Sequence, residues 1–212
     1  MMTVAATTNP RRRRPSADAT RERILSAALD VFADKAFDGA GMREIASRAG
    51  VSQPLLNYHF TSKEDLWKAA VDASFEALRT TLSTRAEGLQ GVDDLTTSKL
   101  LVREYVYFSA RNPQLHRIIT GECKADGPRL AWLAERHTQP LFEATTRRLA
   151  RLADAGHVLP ISPVHAHYIL IGAAPTIFVL GPECRRVAGV DPTDDEIIEA
   201  HADAVIALLF PR

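Results

Sequence analysis

The stretch SQPLLNYHFTSK, residues 52–63, gathers side chains that exchange hydrogen bonds but lack the pairing of a catalytic site. Gln53 and Asn57 each carry an amide, which offers a donor and an acceptor side by side. Ser52, Tyr58 and Thr61 carry hydroxyls, His59 an imidazole and Lys63 an ammonium, while Arg43 upstream adds a guanidinium. An amide matches the N6/N7 edge of adenine, and such a bidentate contact discriminates by about 1–3 kcal/mol. Hydroxyls and cations suit phosphate oxygens. The expected chemistry is recognition of a DNA duplex, with Arg43, Ser52, Gln53, Pro54, Asn57, Tyr58, His59, Thr61 and Lys63 as the candidate contacts.

Such side chains must be held out on a rigid element. Gly50 ends one short helical pattern, Met42 to Arg48, at a position where a left-handed residue costs least. Ser52 reads as the cap of the next helix, with Pro54 in its first turn, where a missing N–H is harmless. Ala46 and Ala49 are small enough for a close helix crossing, and Ile45 and Val51 fill the space beneath. Two short helices on a glycine elbow form a helix-turn-helix, whose second helix enters the major groove. Before them, Ile24, Leu25, Ala28, Leu29, Phe32 and Ala36 recur at helical spacing, broken at Asp38-Gly39 and Gly41. After them, Thr61-x-x-Glu64 and Ser62-x-x-Asp65 both fit a capping box, and a long helix is expected from Lys63 to Glu87.

The remainder also reads as helix: 92–112, 113–123, 128–154 with a break or kink at Pro140, 162–181 and 193–210. No strand alternation of useful length occurs, so the fold class is all-α. Three regions are expected: a disordered basic arm over 1–17, the DNA-binding domain over 18–64 and a larger helical domain over 65–212. Arg11 to Arg14 in the arm suit a minor groove or the phosphate backbone. With 26 basic and 26 acidic residues among 212, the whole molecule advertises no polyanion partner, and any such signal must be local. Cys123 and Cys184 form no CxxC pair and argue against a disulfide scaffold, in keeping with a cytoplasmic setting. The apolar run at 167–182 is short of the roughly 20 residues that span a bilayer and is expected to be a buried helix, not a membrane anchor. No GxSxG elbow, phosphate loop, Rossmann glycines or metal-ligand spacing appears, so no catalytic residue, metal or cofactor is expected. His165 and His167 are about 200° apart on a helix and cannot share a face.

Residues 24–67, ILSAALDVFADKAFDGAGMREIASRAGVSQPLLNYHFTSKEDLW, resemble the DNA-binding domain of tetracycline-repressor-like (TetR family) transcriptional regulators. The resemblance rests on the IL-x-AA-x-x-x-F start, the IA-x-x-AGVS elbow and the closing YHF-x-x-KE-x-L, in order and at family spacing. Two positions depart from it: Gly41-Met42 stand where a threonine often opens the second helix, and Asn57 replaces the usual aromatic residue. The resemblance implies a homodimer on a pseudo-palindromic operator and a variable ligand-binding and dimerisation domain beyond the head. It also favours Tyr58 as a DNA contact rather than as packing.

In that larger domain Trp67, Phe75, Tyr105, Phe108, His116, Ile119, Glu122, Trp132, Leu133, His137 and Phe178 are the candidates to line a small-molecule pocket, apolar walls with a few polar groups. The alternative is ordinary bundle core. Residues 166–180 are apolar nearly all round, and Ile197, Ile198, Ala204, Val205, Leu208 and Leu209 line another helix near the chain end. Pairing these last two helices with their symmetry mates would make an isologous four-helix interface. The expected function is a ligand-responsive repressor that leaves its operator when an amphipathic or apolar effector binds. The alternatives are a ligand-independent DNA-binding protein or an activator of the same fold.

Overall fold

The computed structural model describes residues 16–158 and 160–211, and the arginine run at 11–14 lies outside them. The described residues are helical throughout, without a strand. In order they are α1 (Ala17–Gly39), α2 (Met42–Arg48), α3 (Gln53–His59), α4 (Lys63–Glu87), α5 (Asp94–Arg111), α6 (Pro113–Glu122) and α7 (Pro128–Leu133). A π-helical turn (Ala134–Thr138), α8 (Gln139–Asp154), α9 (Pro163–Val179), α10 (Gly181–Val187) and α11 (Asp195–Leu209) follow.

Local chemistry sets the helix starts. Ser16 Oγ accepts from Ala19 N–H at 3.1 Å, Ser62 Oγ from Asp65 N–H at 3.0 Å and Asp93 Oδ1 from Thr96 N–H at 2.8 Å. Each removes one of the donors that a helix leaves orphaned at its first turn. The break in α1 falls at Ala36, not at Asp38-Gly39, because Ala36 takes φ 56°, ψ 175° inside the helix span. The expected helix over 128–154 is interrupted before Pro140. Proline has no N–H to offer the carbonyl one turn back, and the π-helical turn at 134–138 absorbs the mismatch. α10 was not expected from the sequence.

Two apolar cores hold the chain. The first joins Ile24, Phe32, Ile45 and Leu56 of the head to Trp67, Phe75, Phe108, Leu115 and Leu133. The proposed division at residue 64 is thus not a gap in the packing. The second core joins Val106 of α5, Leu152 of α8, Phe178 of α9 and Ile198 and Val205 of α11, and Tyr105 packs against both. The segment 167–182 is only half buried: Ala174, Pro175 and Phe178 point inward, while Tyr168, Ile169, Ile171 and Leu180 are exposed. No single helix among the described residues is long and apolar enough to cross a membrane.

Candidate nucleic-acid interface

The elbow between α2 and α3 is a doubly hydrogen-bonded helix end. Gly50 sits at φ 64°, its N–H donates to Ser47 O at 3.1 Å, and Val51 N–H donates to Ala46 O at 3.0 Å. This pairing satisfies two orphan carbonyls of α2 and turns the chain sharply into α3. Ser52 then caps α3, its Oγ accepting from Leu55 N–H at 3.4 Å, with Pro54 in the first turn. The Ser52 O–H stays available to donate outward.

Only Leu56 of α3 is buried; it docks in the head's core beside Ile45 and Ala46. Ser52, Gln53, Pro54, Leu55, Asn57 and Tyr58 are all exposed, Tyr58 at 82%. His59 is half-buried, its ring edge-on to Tyr58 with centroids 5.5 Å apart. A seven-residue helix with a single inward side chain is a display surface, and its stability comes from the elbow and cap rather than from its own length. Arg43 is exposed at the start of α2 and has no ion-pair partner among the described residues. By contrast Arg48 pairs with Asp34 at 3.4 Å and Lys35 with Glu44 at 2.8 Å, so those cations are locally neutralised.

Two expected backbone contacts are placed differently. Lys63 Nζ donates to the carbonyls of Phe37 at 2.9 Å, Ala40 at 3.1 Å and Asp38 at 3.4 Å, and lies 4.5 Å from the Phe37 ring centroid. The ammonium caps the end of α1, where the helix dipole and open carbonyls attract a cation, and its three donors are taken. In this conformation it is not offered to a phosphate. Thr61 is exposed, but its hydroxyl donates to the Asp65 carboxylate. That bond and the one from Ser62 hold Asp65 below the usual carboxylate range.

The residues expected to line a pocket do not form one set. Trp67, Phe75, Leu133 and His137 are each 0–1% exposed and are packed as solid core. The Phe75 and His137 rings stack at 4.3 Å, Trp132 lies 5.4 Å from Trp67, and Phe108 joins the same cluster. Phe178 stands apart in the second core. Glu122 faces the head instead, paired with Arg129 at 2.9 Å, and the Arg129 guanidinium lies 4.2 Å from the Phe37 ring centroid. Phe37 therefore carries Lys63 and Arg129, one from α4 and one from α7. Tyr105, Ile119 and Trp132 retain accessible surface. His116 is buried with Nε2 3.1 Å from Ser109 Oγ, its ring edge-on to Tyr105 at 5.7 Å. Burial pushes the Tyr105 phenol far up and the His116 imidazole down to about 4. An open groove of about 440 Å³ lies elsewhere, lined by Thr80, Thr81, Thr84, Arg85 and Gly88 with Glu104 of α5.

His137 occupies the π-helical turn. Arg79 donates to its Nδ1 at 3.2 Å, which places the ring proton on Nε2. Nε2 lies 2.8 Å from Asp72 Oδ1 but off the line that a hydrogen bond needs. Burial lowers the His137 pKa against the opposing pull of Asp72. Asp72 also accepts from Arg136 Nε at 2.6 Å, so α4 is tied to the turn by both charge and stacking.

An exposed short helix on a glycine elbow, braced by a core that includes α1 and α4, defines a helix-turn-helix protein. Comparison with known proteins then gives the family. Residues 24–70 match the family model described as bacterial regulatory proteins, tetR family. The HTH-type transcriptional regulator RutR of Escherichia coli (strain K12) is 27% identical over 194 residues, 92% of this chain and 90% of that protein. The HTH-type transcriptional activator FasR of Mycolicibacterium smegmatis is 32% identical over 152 residues, 70% of this chain and 66% of that protein. Among solved structures, AibR in complex with isovaleryl coenzyme A and operator DNA is similar in fold. Its TM-score is 0.72 at 18% identity, over 91% of this chain and 98% of that one. The chain belongs to the tetR family and is a DNA-binding transcriptional regulator.

Proposed function

We propose that this regulator is a homodimeric repressor that leaves its operator when a small amphipathic molecule enters the larger domain. The observation that carries the DNA half is the display of α3, six exposed positions from Ser52 to Tyr58 around one buried anchor, Leu56. Gln53, Pro54, Asn57, Tyr58 and His59 are the proposed groove contacts, with Ser52 and Arg43 toward phosphates, while the Thr61 hydroxyl is committed to Asp65. Lys63 is reassigned from phosphate contact to positioning residue.

Dimerisation is supported by the uncovered face of α9, where Val164, Tyr168 and Ile171 are exposed, and by exposed Ala204 and Leu208 on α11. A contiguous apolar face of two adjacent helices needs a partner surface. Residues 18–64 then serve as reading head and 65–212 as effector and dimer domain. The effector reading leans on the fold neighbour AibR, solved in complex with isovaleryl coenzyme A, and on Tyr105, Ile119 and Trp132, which keep accessible surface beside the core. Two contacts can carry a displacement to the head: α4 itself, held by His137 and Trp132, and Arg129 on Phe37. Inverting an equilibrium from 1:99 to 99:1 takes about 5.5 kcal/mol of differential effector affinity.

Binding-site selection from random duplexes with the purified chain tests the reading. It should return a pseudo-palindrome whose half-sites are about one helical turn or more apart. A panel of acyl thioesters and other amphipathic acids is then titrated against the gel shift. Recovery of no preferred duplex by a purified monomer would remove the proposal. A ligand-independent regulator is favoured by the solid packing of Trp67, Phe75, Leu133 and His137. It predicts a gel shift that no member of the panel releases.

A further inference from the structure

Between residues 16 and 91, the exposed large apolar side chains are Leu55 and Tyr58, and both lie on α3. Tyr58 has a polar tip to place in water. Leu55 has none: it is 39% exposed and belongs to neither apolar core. The packing role in this helix is filled by Leu56, which is fully buried. An isolated exposed leucine on a surface needs no explanation. One in the first turn of the recognition helix stands where base edges are met.

The helix geometry sorts the display into two flanks. At roughly 100° per residue, Gln53 and Asn57 fall within about 40° of each other, and Leu55 and Tyr58 within about 60°, with the first pair on the opposite side from Leu55. One flank is amide and the other apolar, with the exposed Pro54 between them. In the major groove, the C5-methyl of thymine is the apolar feature among base edges that otherwise present donors and acceptors.

Building on the reading of α3 as the groove element, we propose that Leu55 is a specificity-determining residue that packs on a thymine C5-methyl in each half-site. Its isobutyl group and the methyl leave water together on binding, whereas a cytosine at that position offers no methyl. The contact selects a T·A pair without any hydrogen bond from Leu55.

The test uses the full chain and the duplex recovered by selection, with each thymine of the half-site replaced in turn by deoxyuridine, which removes only the methyl. For the native chain, replacement at one position per half-site should weaken binding about fourfold, the equivalent of one buried methyl, and about sixteenfold when both half-sites carry it. Leu55→Ala should be insensitive to that replacement, while Leu55→Met retains a penalty. Because the side chain is outside both cores, Leu55→Ala should unfold at the native midpoint, which a melt by circular dichroism checks. A native chain indifferent to every replacement, or a penalty that survives unchanged in Leu55→Ala, overturns the assignment while leaving operator binding intact. Failure of selection to yield any preferred duplex would overturn this assignment and the reading of α3 together.

Discussion

Ala36 holds a backbone conformation, φ 56° and ψ 175°, that is essentially reserved for glycine. Its Cβ is crowded against the neighbouring carbonyl, at a cost of order 1–3 kcal/mol. Ala36→Gly relieves that strain but adds freedom to the unfolded chain, which costs about 0.4–1 kcal/mol. The net expectation is a gain of about 1 kcal/mol, read as a higher urea midpoint with an unchanged m-value; a lowered midpoint would show that α1 does not end in this conformation. The contrast with Gly50 explains what the sequence reveals at this scale. Gly50 signals its left-handed turn by being glycine, and Ser52 and Ser62 signal their caps because each bonds an amide three residues on. An alanine in a positive-φ position gives no such sign, so the break was expected two residues late. Leu55 was passed over for a related reason: one apolar letter beside another does not say which of the two is buried.

At the scale of elements, the destination of Lys63 depends on the end of α1, some 25 residues earlier in the chain, and no local pattern encodes it. A cation after a reading helix looks like a phosphate contact until the carbonyls of Phe37, Asp38 and Ala40 are placed around it. The same holds for Arg129 on Phe37 and for the separation of Phe178 from Trp67, because helical periodicity gives an inward face but not its partner. The two roles for Lys63 have opposite signatures. As a cap, Lys63→Met should destabilise the chain by about 2 kcal/mol, the scale of a hydrogen bond to a charged donor, and leave the salt dependence of operator binding unaltered. As a phosphate contact, it should leave the melting point in place and flatten the slope of log K against log salt by about 0.9 per phosphate, about 1.8 for the two protomers of a dimer. We expect the first pattern, measured by thermal melts and by gel shifts from low to moderate salt. The second would return Lys63 to the interface.

Across the whole molecule, helical class and the order of the helices are legible because apolar spacing and punctuation recur along the chain, whereas the state of the buried histidines is not. His116, His137 and His167 are all inside, and burial is the leading cause that lowers each of their pKa values. His116 is the clearest, moved from 6.5 to about 4 with Ser109 as its hydrogen-bonding neighbour. Between those values the unfolded chain binds this proton and the folded chain does not, so stability rises with pH across the window. The contribution is complete above about pH 6.5 and is lost as acid carries the solution down toward pH 4, by about 3 kcal/mol for His116 alone. Carboxylates with lowered pKa, Asp65, Asp93 and Asp191, act in a different range, since their ordinary value is 3.8 and their share is lost only below it. Urea unfolding at half-unit steps from pH 7 to pH 4.5 should therefore show a midpoint that falls with acid while these carboxylates are still ionised. In His116→Gln, which keeps a hydrogen-bonding group near Ser109 but cannot titrate, the fall should be visibly shallower. An identical pH profile for the two chains would mean that His116 meets the proton equally well folded and unfolded, and that the region beside Tyr105 is open to water.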